Sequence, residues 1–220
     1  KFIKSLCKKK FEINKNQIQK NIFLGYKSLN KSNNTFYKDI VSVENSSNIL
    51  IDLDLNLIKK KYWKPKLNID QNMKIDDAID GVKNNLIKSL ELRMRSDVPI
   101  AFCLSGGVDS SLLASHAKKT LNKKISTFSI IDKDPRYDES ENIRYIIDDL
   151  RCNHELIKIN NDENLFLDRL KVLTNYHDGP IATLSYYIHS FLSENISKKN
   201  YKVAISGTGA DELFTGYYDH

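Results

Sequence analysis

The sequence is poor in the residues that cross-link or stiffen small folds. It has three cysteines and four prolines among 220 residues. Cys7, Cys103 and Cys152 are far apart and form no CxxC pair. This spacing excludes a dense disulfide framework and a zinc-ribbon site, and it is typical of reduced thiols in a cytoplasmic protein.

Long hydrophobic runs are also missing. No segment approaches the roughly 20 apolar residues that a membrane-spanning helix needs. Lys1–Lys10 is basic but lacks the apolar centre of a signal peptide. We therefore expect a cytoplasmic protein without a membrane partner. Because the sequence does not begin with methionine, we also expect a piece of a longer chain.

The positive charge is not concentrated on one recognisable surface. The net charge of +6 comes from scattered lysines, which gives little support for nucleic-acid binding. One basic and aromatic cluster, Lys59–Lys64, includes Tyr62 and Trp63 and is followed by Pro65. It is either a small nucleic-acid patch or a linker, and the proline favours the linker. We expect no nucleic-acid partner.

The most informative stretch is Phe102–Ser111, with the sequence FCLSGGVDSS. The apolar run Val98–Leu104 predicts a strand buried on both faces, and Asp109–Leu121 predicts a helix. Between them, Gly106 and Gly107 allow an anion to approach the backbone. The hydroxyl groups that could donate to such an anion are those of Ser105, Ser110 and Ser111.

A simpler interpretation is a tight turn with a helix cap and no ligand. The coincidence of strand, glycine pair, hydroxyls and helix favours phosphate binding instead. Asp109 beside a phosphate implies a divalent cation between them, as with Mg²⁺ in nucleotide sites. The loop fits neither the Walker A pattern nor GxGxxG.

The rest of the chain predicts alternating strands and helices. These imply an α/β fold, a parallel sheet with helices on both faces and ligands at the carboxyl ends of the strands. The predicted strands are Ile125–Ile131, His154–Ile159 and Val203–Ile205. The predicted helices include Ile75–Met94, one containing Ile143 and Leu150, Leu165–Leu173 and Tyr186–Ile196. A hairpin of Thr35–Val43 with Ile49–Leu55 is expected before them.

A second glycine loop follows the last predicted strand. Ser206–Tyr218 reads SGTGADELFTGYY, with Gly207 and Gly209 before Asp211. Alone it would be a turn and a helix cap. Because both loops follow strands of one sheet, we expect them to face one nucleotide, with Asp211 as a second magnesium carboxylate beside Asp109.

Together, SGGVDSS and SGTGADELFTGY resemble the signatures SGGxDS and SGxGxDExFxGY of the glutamine-hydrolysing asparagine synthetases. That family's synthetase domain is an N-type ATP pyrophosphatase. Similar stretches lie at Tyr137–Ser140, at His154 with Glu155, and at Asp178 with Pro180. The resemblance implies an adenine nucleotide alpha hydrolase-like, Rossmann-like domain over residues 67–220, truncated at its C-terminus. Residues 1–66 resemble the end of an α+β glutamine amidotransferase domain and its linker.

The resemblance implies an enzyme of asparagine biosynthesis, a carbon-nitrogen ligase. It would adenylate aspartate with ATP and Mg²⁺, release pyrophosphate and amidate the product with ammonia from glutamine. Whether the enzyme forms a homodimer is left open. Asp109, Asp211 and Thr208 occupy its catalytic positions, with Mg²⁺ on Asp109 and Asp211. The implied nucleotide-binding residues are Leu104, Ser105, Gly106, Gly107, Asp109, Ser110, Ser111, Ile130, Ser206 and Gly207.

Thr208 departs from the family pattern, which commonly has glutamate there. Threonine cannot act as a carboxylate base, so the acceptor is either aspartate or another acid, such as a sugar acid or a β-lactam precursor. Leu104 and Ile130 could equally be plain core residues. Two other classes stay open: a tRNA-modifying or sulfur-transferring ligase with the same loop, and a degenerate ATP-binding module. A ligase of the first class should carry catalytic cysteines or a nucleic-acid-binding face, and neither is evident in this sequence.

Overall fold

The computed structural model describes residue 7 and residues 11–131, 138–159 and 163–217. Two compact units are present. The first comprises Lys1–Gln71 with Glu163–Tyr187, and the second comprises Asn72–Asp162 with Ile188–His220. Tyr137 and Tyr218, which belong to the predicted motifs, lie outside the described residues. The three cysteines are free thiols, as predicted.

The second unit is built on a four-stranded parallel sheet. Its strands are β3 (Ile100–Cys103), β4 (Ser126–Ile131), β5 (Asn153–Lys158) and β6 (Val203–Ile205). They follow the order β5-β4-β3-β6, so the chain moves outward from β3 to β5 and returns to the other side of β3. Such a reversal leaves a crevice at the carboxyl ends of the two strands between which it occurs, here β3 and β6.

Helices cover both faces of this sheet, which confirms the predicted fold class. The helices of this unit are α2 (Ile75–Arg93), α3 (Val108–Ser115), α4 (Ser140–Leu150), most of α6 (Leu184–Lys198) and α7 (Ala210–Phe214), whereas α5 (Glu163–His177) belongs to the first unit. A π-helical turn, His116–Thr120, continues α3. Aspartates in the first turn of α2 and Arg93 in its last turn match the helix dipole.

Adjacent residues of β3 point into two separate cores. Phe102 packs with Leu90 of α2, with Ala114 of α3 and with residues of α4. Ala101 packs with Phe128 and with Ile196 of α6. Because successive strand residues face opposite sides, β3 is buried on both faces, as its continuous apolar sequence predicts.

The first unit holds smaller elements. Helix α1 (Lys15–Leu24) is capped by Asn14, whose side chain accepts from the Gln17 amide. A 3-10 helix, Tyr26–Lys31, follows it. Strands β1 (Ser47–Ile51) and β2 (Leu57–Lys61) form an antiparallel hairpin. Strand β2 contains the first three lysines of the basic cluster, so that part is strand and not linker.

The predicted hairpin of Thr35–Val43 with Ile49–Leu55 is wrong. The turn lies at Asp52, whose Oδ1 accepts from the amides of Asp54 at 3.0 Å and Asn56 at 2.8 Å. These bonds interrupt the strand although the apolar alternation continues through it. The Thr35 hydroxyl bonds nearby carbonyls, including that of Ile40 at 2.7 Å, so this segment forms only isolated bridges.

Candidate functional site

The first glycine loop joins β3 to α3 and is folded by its own serines. The Ser110 hydroxyl accepts from the Ser105 amide at 3.1 Å and lies 3.0 Å from the Ser105 hydroxyl. Gly106 has φ +86°, a conformation that favours glycine. The loop therefore curls over the start of α3, where the first-turn amides have no carbonyl partner within the helix.

The second glycine loop joins β6 to α7 and lies directly against the first. A Cβ on Gly207 would lie 2.9 Å from the Ser110 amide nitrogen and 3.0 Å from Asp109 Cβ. Only glycine permits this contact without displacing backbone. The two loops that the sequence places about 100 residues apart are thus neighbours at the crevice between β3 and β6.

A cleft of about 960 Å³ opens at these loops. This volume is in the usual range of ligand pockets. Gly106 and Ser111 do not line it, and the Ser111 hydroxyl donates instead to the Gly107 carbonyl at 2.6 Å. The other predicted site residues all line the cleft: Leu104, Ser105, Gly107, Asp109, Ser110, Ile130, Ser206, Gly207, Thr208 and Asp211.

The two predicted adenosine contacts from strands are also core residues. Leu104 is 2% exposed and belongs to the first core. Its amide donates to the Phe128 carbonyl at 2.8 Å and its carbonyl accepts from Ser129 at 2.5 Å. Ile130 is half-buried beside the second core. Leu104 and Ile130 therefore pack with the cores and also line the cleft, and their contact with adenosine stays a prediction.

The carboxylates of Asp109 and Asp211 suit magnesium better than a protein-only metal cage. Both line the cleft. Among the described residues, no group of three or more His, Cys, Asp or Glu side chains could hold a metal ion. Magnesium usually takes one or two carboxylates and completes its octahedron with phosphate oxygens and water. The donor set thus fits a magnesium that enters with a nucleotide.

Several lining residues were not predicted. Glu139, at the start of α4, reaches the cleft beside the first loop. One wall comes from α6, where His189, Ser193 and Ser197 recur every four residues. Their spacing is the signal that could have found them, because residues four apart share a helix face. The cleft also reaches Lys202, before β6.

His154 is a half-buried histidine outside the cleft. Its Nδ1 lies 2.9 Å from the Thr127 hydroxyl, while its Nε2 is buried and has no hydrogen-bond partner among the described residues. Burial lowers the pKa of His154 below its usual value, and nearby Glu155 opposes that shift. The neutral imidazole is therefore the form that the fold stabilises.

None of the described helices has the length and apolar character needed to cross a membrane.

Comparisons with known proteins place this geometry in a family. The sequence model described as asparagine synthase matches residues 81–220. A putative glutamine-hydrolyzing asparagine synthetase 2 of Methanocaldococcus jannaschii is 30% identical over 213 residues, with 96% of this chain and 40% of that protein covered. Amidase chry2 of Gibberella zeae is 31% identical over 156 residues, with 64% and 23% covered.

Among solved structures, the NH3-dependent NAD synthetase of Campylobacter jejuni aligns with a TM-score of 0.43 at 19% identity, covering 63% of this chain and 60% of that one. The present chain spans less than half the length of the curated relatives named above. The family model covers well over half of the chain and includes both glycine loops. The chain therefore belongs to the asparagine synthase family.

Proposed function

We propose that the protein is an ATP-dependent ligase that adenylates a carboxylate, releases pyrophosphate and forms an amide with ammonia. The observation that carries this proposal is the contact between the two glycine loops at Gly207 and Ser110. One loop is suited to polyphosphate, and the other supplies Asp211 and Thr208 on the same cleft. A phosphate leaving group and an acceptor can therefore meet there.

The first loop would bind the pyrophosphate part of ATP. Amide groups of Gly107 and of the first turn of α3 are donors suited to an anion. Ser105 and Ser110, whose hydroxyls lie 3.0 Å apart, can reorient towards phosphate oxygens. Magnesium held by Asp109 and Asp211 would offset the charge that develops on pyrophosphate. In this arrangement Ser111 supports the loop through Gly107 and contacts no phosphate.

The proposed chemistry has two steps. A carboxylate oxygen of the acceptor attacks the α-phosphorus of ATP, the bond to the β-phosphate oxygen breaks, and pyrophosphate leaves with its electrons. Ammonia then attacks the acyl carbon, the bond to AMP breaks, and one proton is lost. The chain's donors contribute most when they bind charge that appears in the transition state.

Aspartate is the proposed acceptor, which would make the protein an asparagine synthetase. A different carboxylic acid is the second candidate, and Thr208 favours it. Its hydroxyl accepts from Ser206 at 3.1 Å, and a threonine cannot serve as a carboxylate base. One of the relatives of this chain is named as an amidase and not as an asparagine synthetase. Similar proteins are therefore not all named for aspartate as the acceptor.

Further parts of the proposal follow from the resemblance. Glutamine would supply ammonia through an amidotransferase domain, of which residues 1–66 would be the end and linker. Residues 67–220 would form the ATP-pyrophosphatase domain. A cytoplasmic location also belongs to the proposal, and a homodimer is left open. These statements concern the whole protein, of which the chain matches a part.

Pyrophosphate–ATP isotope exchange on the full-length protein tests the proposal. With Mg²⁺, we expect exchange that depends on aspartate. Exchange with another acid but not aspartate would select the second candidate. If the protein binds Mg-ATP but shows no pyrophosphate exchange with any of the acceptor acids added, it is a nucleotide-binding module. That result would overturn the ligase proposal.

Variants locate the chemistry within the chain. Asp109→Asn and Asp211→Asn should each abolish most of the exchange, because magnesium would lose a carboxylate ligand. Asp148→Asn is the matched control, since that carboxylate lies on the surface of α4, 3.9 Å from Arg144. Exposed ion pairs of this kind contribute little to the stability of the folded protein, so the control variant should fold normally. Equal loss in all three variants would contradict the metal assignment.

A further inference from the structure

Glu139 is a carboxylate beside an anion-binding loop, which requires an explanation. It precedes α4, where its carbonyl accepts from the Ile143 amide at 3.0 Å. A Cβ on Gly106 would lie 3.1 Å from Glu139 Cβ and 3.2 Å from its carbonyl oxygen. The backbone of Glu139 is therefore fixed against the first glycine loop, and its side chain lines the cleft.

A negative side chain at this place would repel bare phosphate. Among the described residues, Glu139 belongs to no group of three or more carboxylate, imidazole or thiol side chains that could hold a metal ion by themselves. A group that donates hydrogen bonds without carrying negative charge is a ligand that suits this side chain. A carboxylate accepts such bonds through both oxygens.

The strand order indicates which part of a nucleotide would reach Glu139. Glu139 follows β4, which pairs with β3 on the side opposite β6. The second loop, with Thr208 and Asp211, follows β6. The β4 side of the cleft also carries Ile130 and Phe128, whose apolar side chains suit the adenine ring. A ribose between the base and the phosphates would lie on the same side.

We propose that Glu139 binds the ribose hydroxyls of ATP and selects ribonucleotides over deoxyribonucleotides. This inference rests on the proposed function, since it takes ATP as the ligand. The general logic is that of doubly wound nucleotide folds, in which an acidic residue after a neighbouring strand accepts a hydrogen bond from a ribose hydroxyl. The vicinal 2′ and 3′ hydroxyls match the two oxygens of one carboxylate.

Calorimetry with the full-length protein tests the inference. Wild type should bind Mg-ATP roughly tenfold to a hundredfold more tightly than Mg-2′-deoxy-ATP, the range of one hydrogen bond to a charged group. Glu139→Ala should lose that preference, because without the carboxylate the ribose 2′ hydroxyl adds no affinity. The variant should then bind Mg-ATP and Mg-2′-deoxy-ATP equally. Glu139→Gln keeps one acceptor oxygen and should retain an intermediate preference.

Asp138→Asn is the matched control. Asp138 is the neighbouring exposed carboxylate, but its Oδ1 accepts from the Ser140 amide at 2.9 Å and it does not line the cleft. It should keep the wild-type preference. An unchanged preference in Glu139→Ala would overturn the inference, as would equal wild-type affinity for the two nucleotides. Loss in Glu139→Ala of a preference for ATP over inosine triphosphate, with the preference for ATP over 2′-deoxy-ATP kept, would overturn the inference and indicate that Glu139 contacts the adenine amino group.

The outcomes separate this inference from the proposed function. If the wild type binds neither nucleotide, the ATP-ligase proposal fails and the inference fails with it. If the wild type binds both nucleotides equally and catalyses pyrophosphate exchange, only the ribose assignment fails.

Discussion

A single methyl group at Gly207 should separate the two glycine loops. In Gly207→Ala the new Cβ would lie 2.9 Å from the Ser110 amide nitrogen and 3.2 Å from the Asp109 carbonyl carbon. Both are backbone atoms, so no flexible side-chain end can move aside. Contacts this short require a shift, and overpacking of this kind costs about 1–3 kcal/mol.

The structure indicates which loop would move. Helix α3 and the π-helical turn after it are held in the core by Ala114 and Ala117, both fully buried. Ser206 and Thr208, in the second loop, are exposed. The second loop should therefore withdraw, and most of the cost should appear as lost affinity for Mg-ATP. A cost of about 1–3 kcal/mol corresponds to a weakening of roughly 5-fold to 150-fold.

Calorimetry with Mg-ATP measures the loss of affinity, and thermal unfolding of the full-length protein measures the loss of stability. Gly81→Ala is the control, because no atom of the described part of the chain lies within 4 Å of a Cβ there. Gly81 is inside α2, so alanine should stabilise it by about 0.5–1 kcal/mol. Wild-type affinity for Mg-ATP together with a wild-type unfolding temperature in Gly207→Ala would contradict the close contact between the two loops.

Three further substitutions test the sheet that supports the site. Phe102→Ala removes a side chain that is 1% exposed and should lower the free energy of unfolding by about 3–5 kcal/mol in urea titrations; a loss under 1 kcal/mol would contradict its place in the core. Ser129→Ala deletes the donor to the Leu104 carbonyl and should cost about 1–3 kcal/mol in the same assay, whereas no change would show that the bond contributes nothing. Burial lowers the pKa of His154 in the folded protein, so the unfolded chain binds more protons as the pH falls. The contribution of neutral His154 to the free energy of unfolding should therefore be complete above about pH 6.5 and be lost as the pH falls through the lowered pKa. His154→Asn can still bond Thr127 without titrating, and an unfolding profile with the wild-type slope between pH 7 and 5 would contradict this assignment.

The elements around the site could be predicted because their signals are local. The apolar run before Ser105 and the glycines after it need no partner to be recognised, and β3 with α3 follows directly from them. Asp52 shows where such signals fail. The IDLDL alternation predicts a continuous strand, yet two backbone amides bond Asp52, and Leu53 is fully exposed at the turn.

Helix α2 shows a second limit of local patterns. Its apolar residues recur on one face, and the helix itself is confirmed at Ile75–Arg93. Leu90 near its end is buried, whereas Ile75 near its start is 73% exposed in this structure. Periodicity indicates which face is apolar. It does not say how far along the helix other elements cover that face.

The wall of the cleft on α6 depends on information that no single stretch contains. His189, Ser193 and Ser197 share a helix face, but only the packing of Ile196 against Ala101 and Phe128 turns that helix towards the sheet. The position of Glu139 is likewise set by its contact with Gly106. These residues could be recognised as polar from the sequence, while their place at the site is a property of the fold.

The strand order also separates the tasks of the proposed reaction. In the proposed reaction the loop after β3 would bind the phosphates, Ile130 and Glu139 would contact the adenosine, and the loop after β6 would bring Thr208 to the acceptor. The loops after β3 and β6 touch at Gly207 and Ser110, whereas the Thr208 hydroxyl bonds Ser206 within its own loop. The proposal therefore expects a substitution at Thr208 to change the acceptor while Ser105, Gly107 and Asp109 keep the geometry proposed for pyrophosphate release.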